Sequence, residues 1–293
     1  MAAAISVGSN ILLVALKLVI GVVTGSISIL AEAVHSGVDL VAALIAYFAV
    51  RVADLPPDEQ HPYGHGKYEN ISGTAEAMLI ILAAIYIIYE AVVKIVVMAP
   101  IERPGLGFGI LIMFLSTLAN WLVSANLFKV ARETDSIALE ADAQHHRLDV
   151  YTSGAVLAGL LLVYMLMGHV KNAVLIDRLL GLGVGVWIGW IGFELSRKAV
   201  SPLLDAQLPA AELERIAEIL HSEDLIIGYH KLRTRKAGAH RHVDVHLFLP
   251  PEMSLMDAHE LADRVEDRIR AEFDNVYVLT HVEPADDHEH HDV

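Results

Sequence analysis

Long apolar runs separated by short polar breaks fill the first two-thirds of the chain, and shorter, charged segments fill the rest. A helix crossing about 30 Å of hydrocarbon at 1.5 Å per residue needs roughly 20 mainly apolar residues. Six segments meet that length, at about 3–24, 28–53, 70–98, 106–130, 137–168 and 174–199. Between them lie a tight TGS turn, the polar loop DLPPDEQHPYGHGKYEN, the proline-rich turn APIERPG, the charged connection FKVARETDS and the short GHVKN. Beyond residue 200 the period changes. Residues 209–222 predict an amphipathic helix, LIIGYHKLRTR and HRHVDVHLFL two strands around a KAGA turn, MSLMDAHELADRVEDRIRAEF a second helix, and NVYVLTHV a last strand.

The pattern predicts a polytopic α-helical membrane protein with six transmembrane helices, followed by a cytoplasmic α+β domain of ferredoxin-like αββαβ order with an antiparallel-rich sheet. The expected boundaries are 1–203 for the membrane domain, 204–284 for the soluble domain and 285–293 for a His/Asp-rich flexible tail. Lys and Arg at the span ends set the orientation. Arg51, Lys67, Lys129, Arg132, Arg197 and Lys198 fall on one side, against Arg103 and Lys171, with Lys94 near them, on the other. That bias places both termini and the 54–69 loop in the cytoplasm; a bacterial or archaeal plasma (inner) membrane is the default setting. The N-terminus has no basic leader and reads as a retained first span.

Composition narrows the chemistry. Of 293 residues 55% are hydrophobic and only 19% charged, with mean hydropathy +0.49, too apolar for an ordinary soluble protein. The absence of cysteine excludes disulfides, thiolate zinc sites and thiol catalysis. A net charge of −15 argues against nucleic acid as a partner, whereas an acidic chain with 16 histidines suits cations.

Two spans carry a His followed four residues later by an Asp: His35 with Asp39, and His145 with Asp149. Residues four apart share a helix face. An ionised Asp at mid-bilayer costs about 2.5–3.5 kcal/mol even on lenient scales, so such groups pair or line a pathway. One pair fits a helix-packing hydrogen bond; two matching pairs supply two imidazoles and two carboxylates, the four ligands of tetrahedral zinc. His146 points about 100° away from His145 on an ideal helix and is left out of the set. Glu32 and Asp142 sit one turn before a ligand and read as vestibule or supporting groups. Glu90 and Lys94 form an i,i+4 pair, Lys17 snorkels or pairs with a carboxylate, and Asp177, Arg178 and Glu194 lie towards the ends of their span.

The segments TGSISILAEAVHSGVDL (24–40), HPYGHGKYE (61–69) and ALEADAQHHRLDVYTSGA (138–155) resemble those of the cation diffusion facilitators, which export zinc and related divalent metals. The resemblance covers nearly the whole chain. It implies a transport site at His35, Asp39, His145 and Asp149, with two histidines pointing to Zn²⁺, and Cd²⁺ beside it, over iron or manganese. It implies a second metal site in the loop at Asp58, His61 and His65, and a cytoplasmic binuclear site at His230, His246, His259, His281 and Glu283. It matches Lys67 to a lysine that pairs with an Asp after the sixth span, here Asp205, as a latch between subunits. It further implies a homodimer in a lipid bilayer, with Zn²⁺ as substrate and regulatory ligand and protons as counter-ion in alternating-access antiport. Protons and metal compete for the same imidazole nitrogens, which fits such an exchange. His240 and His242 read as surface residues, and His288, His290 and His291 as metal scavengers in the tail.

Three rival readings compete with transport. An intramembrane metalloprotease needs H-E-x-x-H, and HELAD at His259 lacks the second His. A metal-sensing scaffold that does not transport would tolerate loss of the intramembrane ligands. An exporter of Fe²⁺, Mn²⁺ or Co²⁺ differs only in selectivity.

Overall fold

The computed structural model describes residues 2–24, 27–97, 108–166 and 173–285. Arg103, Lys171 and the tail histidines lie outside the described residues, as do the side chains of Glu32, His35, Glu90, Lys94, Asp177 and Arg178. The chain divides into two compact units, Met1–Val200 and Ser201–Val293.

Among the described residues, six long helices build the first unit: α1 (Ala2–Thr24), α2 (Ile27–Ala53), α3 (Lys67–Val97), α4 (Phe108–Thr134), α5 (Ile137–Leu166) and α6 (Ala173–Val200). Among the described residues, Ala2–Val19 and Lys67–Val93 are long and apolar enough to cross a membrane. Large apolar side chains such as Leu12, Leu82, Ile85, Trp190 and Phe193 face outward, while the polar Ser6, Asn10, Asp39, Glu76, Asp142 and His146 are among the buried residues. A hydrocarbon solvent favours apolar groups outside and polar groups within the protein.

Where α3 meets α6, glycines allow the backbones to approach. A Cβ on Gly192 would lie 2.9 Å from Ile80 Cγ2 and Ile81 Cγ1, and one on Gly185 would lie 2.8 Å from Ile88 Cγ1. Alanines 77 and 84 with Ile80 on α3, Ala141 and Leu148 on α5, and Ile188 and Leu195 on α6 share one buried cluster. The charged stretch expected to connect α4 and α5 is mostly helical. Lys129 and Glu133, 4.0 Å apart, are an i,i+4 pair. The turn reduces to Asp135, at φ 54°, and Ser136, whose Oγ accepts from Leu139 N at 3.3 Å and caps α5.

The second unit comprises a short 3₁₀ turn (Ser201–Leu204), α7 (Ala210–His221), β1 (Gly228–Ala237), β2 (His240–Leu249), α8 (Leu255–Glu272) and β3 (Val276–Pro284). The sheet order is β1-β2-β3. Strands β1 and β2 pair antiparallel across a turn where Gly238 takes φ 59°. Strands β2 and β3 are parallel. The sheet is therefore half antiparallel, not antiparallel-rich: α8 fills the connection and returns the chain in the same direction.

Val243, Val245, Leu247 and Leu249 alternate along β2 and pack against Ile216, Ile219 and Leu220 of α7 and Leu261, Val265 and Ile269 of α8. The period of two turns His242 and His246 to the opposite face. His242 corrects an expectation. It is buried, because its register partner Tyr277 stacks over it with ring centroids 5.2 Å apart and planes at 14°.

Candidate metal centres

Among the described residues, three groups of side chains bring ligand atoms within 4.8 Å of one another. The first lies inside the helical unit and joins Asp39 of α2 to His145 and Asp149 of α5. His145 Nε2 is 3.1 Å from Asp39 Oδ1, and both side chains are largely buried. His35 stands one turn before Asp39 on α2, with its side chain outside the described set. Asn120 of α4 was not anticipated: its Nδ2 donates to Asp149 Oδ2 at 3.4 Å, and its Oδ1 lies 3.2 Å from His146 Nδ1. An amide within the uncharged, mainly apolar run LSTLANWLV is the available signal. His146 turns away from this group, with Nε2 2.9 Å from Ser6 Oγ on α1. Lys17 donates to Ser36 Oγ at 2.8 Å from within the bundle.

The second group occupies the loop before α3. Asp58 Oδ1 accepts from the backbone of Gln60 and His61, at 2.9 and 2.6 Å, which closes a turn. Gly64, at φ 81°, then reverses the chain and brings His65 back. His61 Nδ1 and His65 Nε2 each lie 3.4 Å from one Asp58 oxygen, and the two imidazoles are 4.4 Å apart. The backbone N–H of His61 leads the groups that hold the Asp58 carboxyl below its ordinary value of 3.8. His65 Nδ1 is buried without a hydrogen-bond partner, and the buried His61 Nδ1 has only the 3.4 Å approach of Asp58, which suits a cation ligand better than a closed polar turn.

The third group lies on the sheet face opposite the helices. Register places His230 of β1 beside His246 of β2, and His246 beside His281 of β3. Glu283, two residues after His281, reaches back across them. Its Oε1 is 2.5 Å from His246 Nδ1 and its Oε2 is 3.1 Å from His230 Nε2. The contact with His246 is the leading cause that holds the Glu283 carboxyl below its usual 4.5. His281 Nε2 stands 3.5 Å from Glu283 Oε1, at the exposed edge of the group. His259 does not join it in this chain. It projects from α8, exposed, 3.6 Å from Asp263, because α8 packs on the other face of the sheet. Asp205 accepts from Arg235 at 3.3 Å within the same unit.

Comparison with known proteins agrees with this architecture. Residues 3–204 match the family described as "Cation efflux transmembrane domain", and residues 208–285 the "Cation efflux protein, cytoplasmic domain". A transporter of a Synechocystis species is 34% identical over 97% of this chain and 90% of its own length. The cation-efflux pump FieF of Yersinia pestis is 37% identical over 89% of this chain and 85% of its own. A structure of the metal-bound C-terminal domain of the CzcD transporter from Thermotoga maritima is 26% identical, covering 26% of this chain and 94% of that one, with a TM-score of 0.25. The chain belongs to the cation diffusion facilitator family, whose members are membrane transporters for metal-cation efflux and not enzymes.

Proposed function

We propose that this protein exports Zn²⁺, and with it Cd²⁺, in exchange for protons by alternating access. The observation that carries the reading is the buried convergence of Asp39, His145 and Asp149, one turn along α2 from His35. Imidazole with carboxylate suits zinc better than it suits oxygen-seeking magnesium, calcium or manganese. Proton and metal compete for the imidazole nitrogens, so protonation of His35, His145 or an Asp on the outward side releases the ion, and the proton returns inward.

On this reading all six helices α1–α6 span the plasma membrane with both termini cytoplasmic. Residues 1–203 transport, and residues 204–284 form a ferredoxin-like cytoplasmic module that dimerises and senses metal. Asp58, His61 and His65 would hold one regulatory ion, and His230, His246 and Glu283, with His281 beside them, another. The buried nitrogens of the loop and the carboxylate between two imidazoles support those assignments.

The test is flux into liposomes holding the purified protein, with zinc, cadmium, cobalt, iron and manganese in competition. Zinc and cadmium are expected to compete best, and His145→Ala to abolish flux while the protein still inserts. Normal flux by that variant sinks the site. Preference for iron, manganese or cobalt sinks the selectivity. Absence of flux in the wild type leaves the sensing scaffold as the better account.

A further inference from the structure

Glu76 belongs to none of the three groups. It lies on α3, fully buried at 0% exposure, and neither carboxylate oxygen has a hydrogen-bond partner. Asp142 on α5 is 1% exposed; neither of its oxygens makes a hydrogen bond of good geometry, and the Ser6 hydroxyl, shared with His146, is a donor within its reach. The two carboxylates are close enough to act on each other electrostatically. Asp142 is also three residues before His145, hence on the same side of α5 as the transport site.

The groups facing this pair offer no permanent counter-charge. Among the described residues, His145 is the basic group acting on both carboxylates, and it is already engaged with Asp39 at 3.1 Å. His146 Nε2 is 3.6 Å from Asp142 Oδ1 but lies nearer Ser6 Oγ, at 2.9 Å. From α6 the neighbouring cluster receives Ile188 and Leu195, which are apolar. From α4, the amide of Asn120 reaches His146 and Asp149. Two charged carboxylates in a dry, donor-poor site repel each other and forfeit hydration. Among the described residues these side chains do not join a three-ligand group for a divalent metal. A proton answers the need: bound to one carboxylate, it removes a charge and supplies a donor for the other.

We propose that Glu76 and Asp142 form a proton-binding pair, separate from the metal ligands, that carries part of the counter-ion flux. The proton is taken from water on one side of the membrane and returned on the other, with no other bond made or broken. This rests on the proton exchange proposed above, and the test keeps the two apart.

The full-length protein in liposomes is assayed for zinc flux and for proton movement, as wild type, Glu76→Gln and Asp142→Asn. Each substitution fixes one carboxyl in an uncharged, near-isosteric form. The expected result is an unchanged zinc KM at equal pH on both sides, with protons moved per zinc ion lower by about one. A wild type that moves zinc without protons overturns the antiport. A wild type that exchanges protons, with both variants at the same ratio, overturns only the pair. Should neither variant insert, infrared spectra of the wild type decide: a protonated-carboxyl carbonyl band at neutral pH supports the pair, and its absence refutes it.

Discussion

Asn120→Ala is a sharp test of how the intramembrane group is held. The amide touches two partners that belong to different functions: Asp149, a proposed ligand, and His146, which is not one. Partners that orient metal ligands are worth roughly 10–100-fold in affinity when removed. The geometry selects the lower end. At 3.4 Å the contact to Asp149 is longer than the 2.7–3.2 Å of a good N–H···O bond. A loss of about tenfold in apparent zinc affinity follows, equivalent to about 1.4 kcal/mol. Zinc KM and maximal rate in liposomes, compared across wild type, Asn120→Ala and the more nearly volume-matched Asn120→Leu, measure it. Because both variants lose the donor and only one leaves a void, equal KM shifts assign the effect to the hydrogen bond. If both leave KM and rate unchanged, Asp149 is held by other contacts and the positioning argument is wrong.

Further outcomes follow from other parts of the molecule. Glu283→Gln is expected to weaken zinc binding by the full-length protein, read by titration calorimetry, by more than the roughly 100-fold cost of losing a mere supporting hydrogen bond; an unchanged isotherm would remove Glu283 from the ligands. Arg215 bridges α7 to Glu272 and holds that carboxyl below its ordinary 4.5. A depressed folded value means stability that is present above the unfolded pKa and lost as pH falls through the folded one, so Glu272→Gln should flatten the acid-side loss of hydrogen-exchange protection in α7 and α8. Gly192→Val, which forces a side chain into contacts already at 2.9 Å for a Cβ, should destabilise the helical unit by about 1–3 kcal/mol, seen as a lower melting temperature in detergent.

The sequence carried the long helices because apolar length is a one-dimensional property, and it carried the His-x₃-Asp pairs because helical spacing is too. What it missed involves partners from other segments. The end of α4 looked like a connection because Lys129, Arg132 and Glu133 are charged, but charge at i and i+4 on a helix leaving an apolar layer is compatible with more helix. His242 looked exposed because nothing within β2 says that Tyr277 of β3 will cover it. Asn120 was overlooked because a single amide in a span has no periodicity. Glu76 has no periodicity to mark it either, and only its complete burial distinguishes it from a surface residue. On β1–β3, the placement of the histidines side by side depended on register, including the irregularity between His230 and Arg233, which no residue count along one strand reveals.

The absence of a Cβ at positions 185 and 192 does more than let two helices touch. With backbone set against isoleucine at van der Waals limits, α3 and α6 have no compressible layer between them, so sliding one past the other would drive atoms into overlap. They are thus constrained to travel as a single strut. On the alternating access proposed above, the rearrangement that exposes the ion to each compartment falls to seams lined by longer, rotatable side chains, and a crosslink fixing α3 to α6 should leave turnover intact.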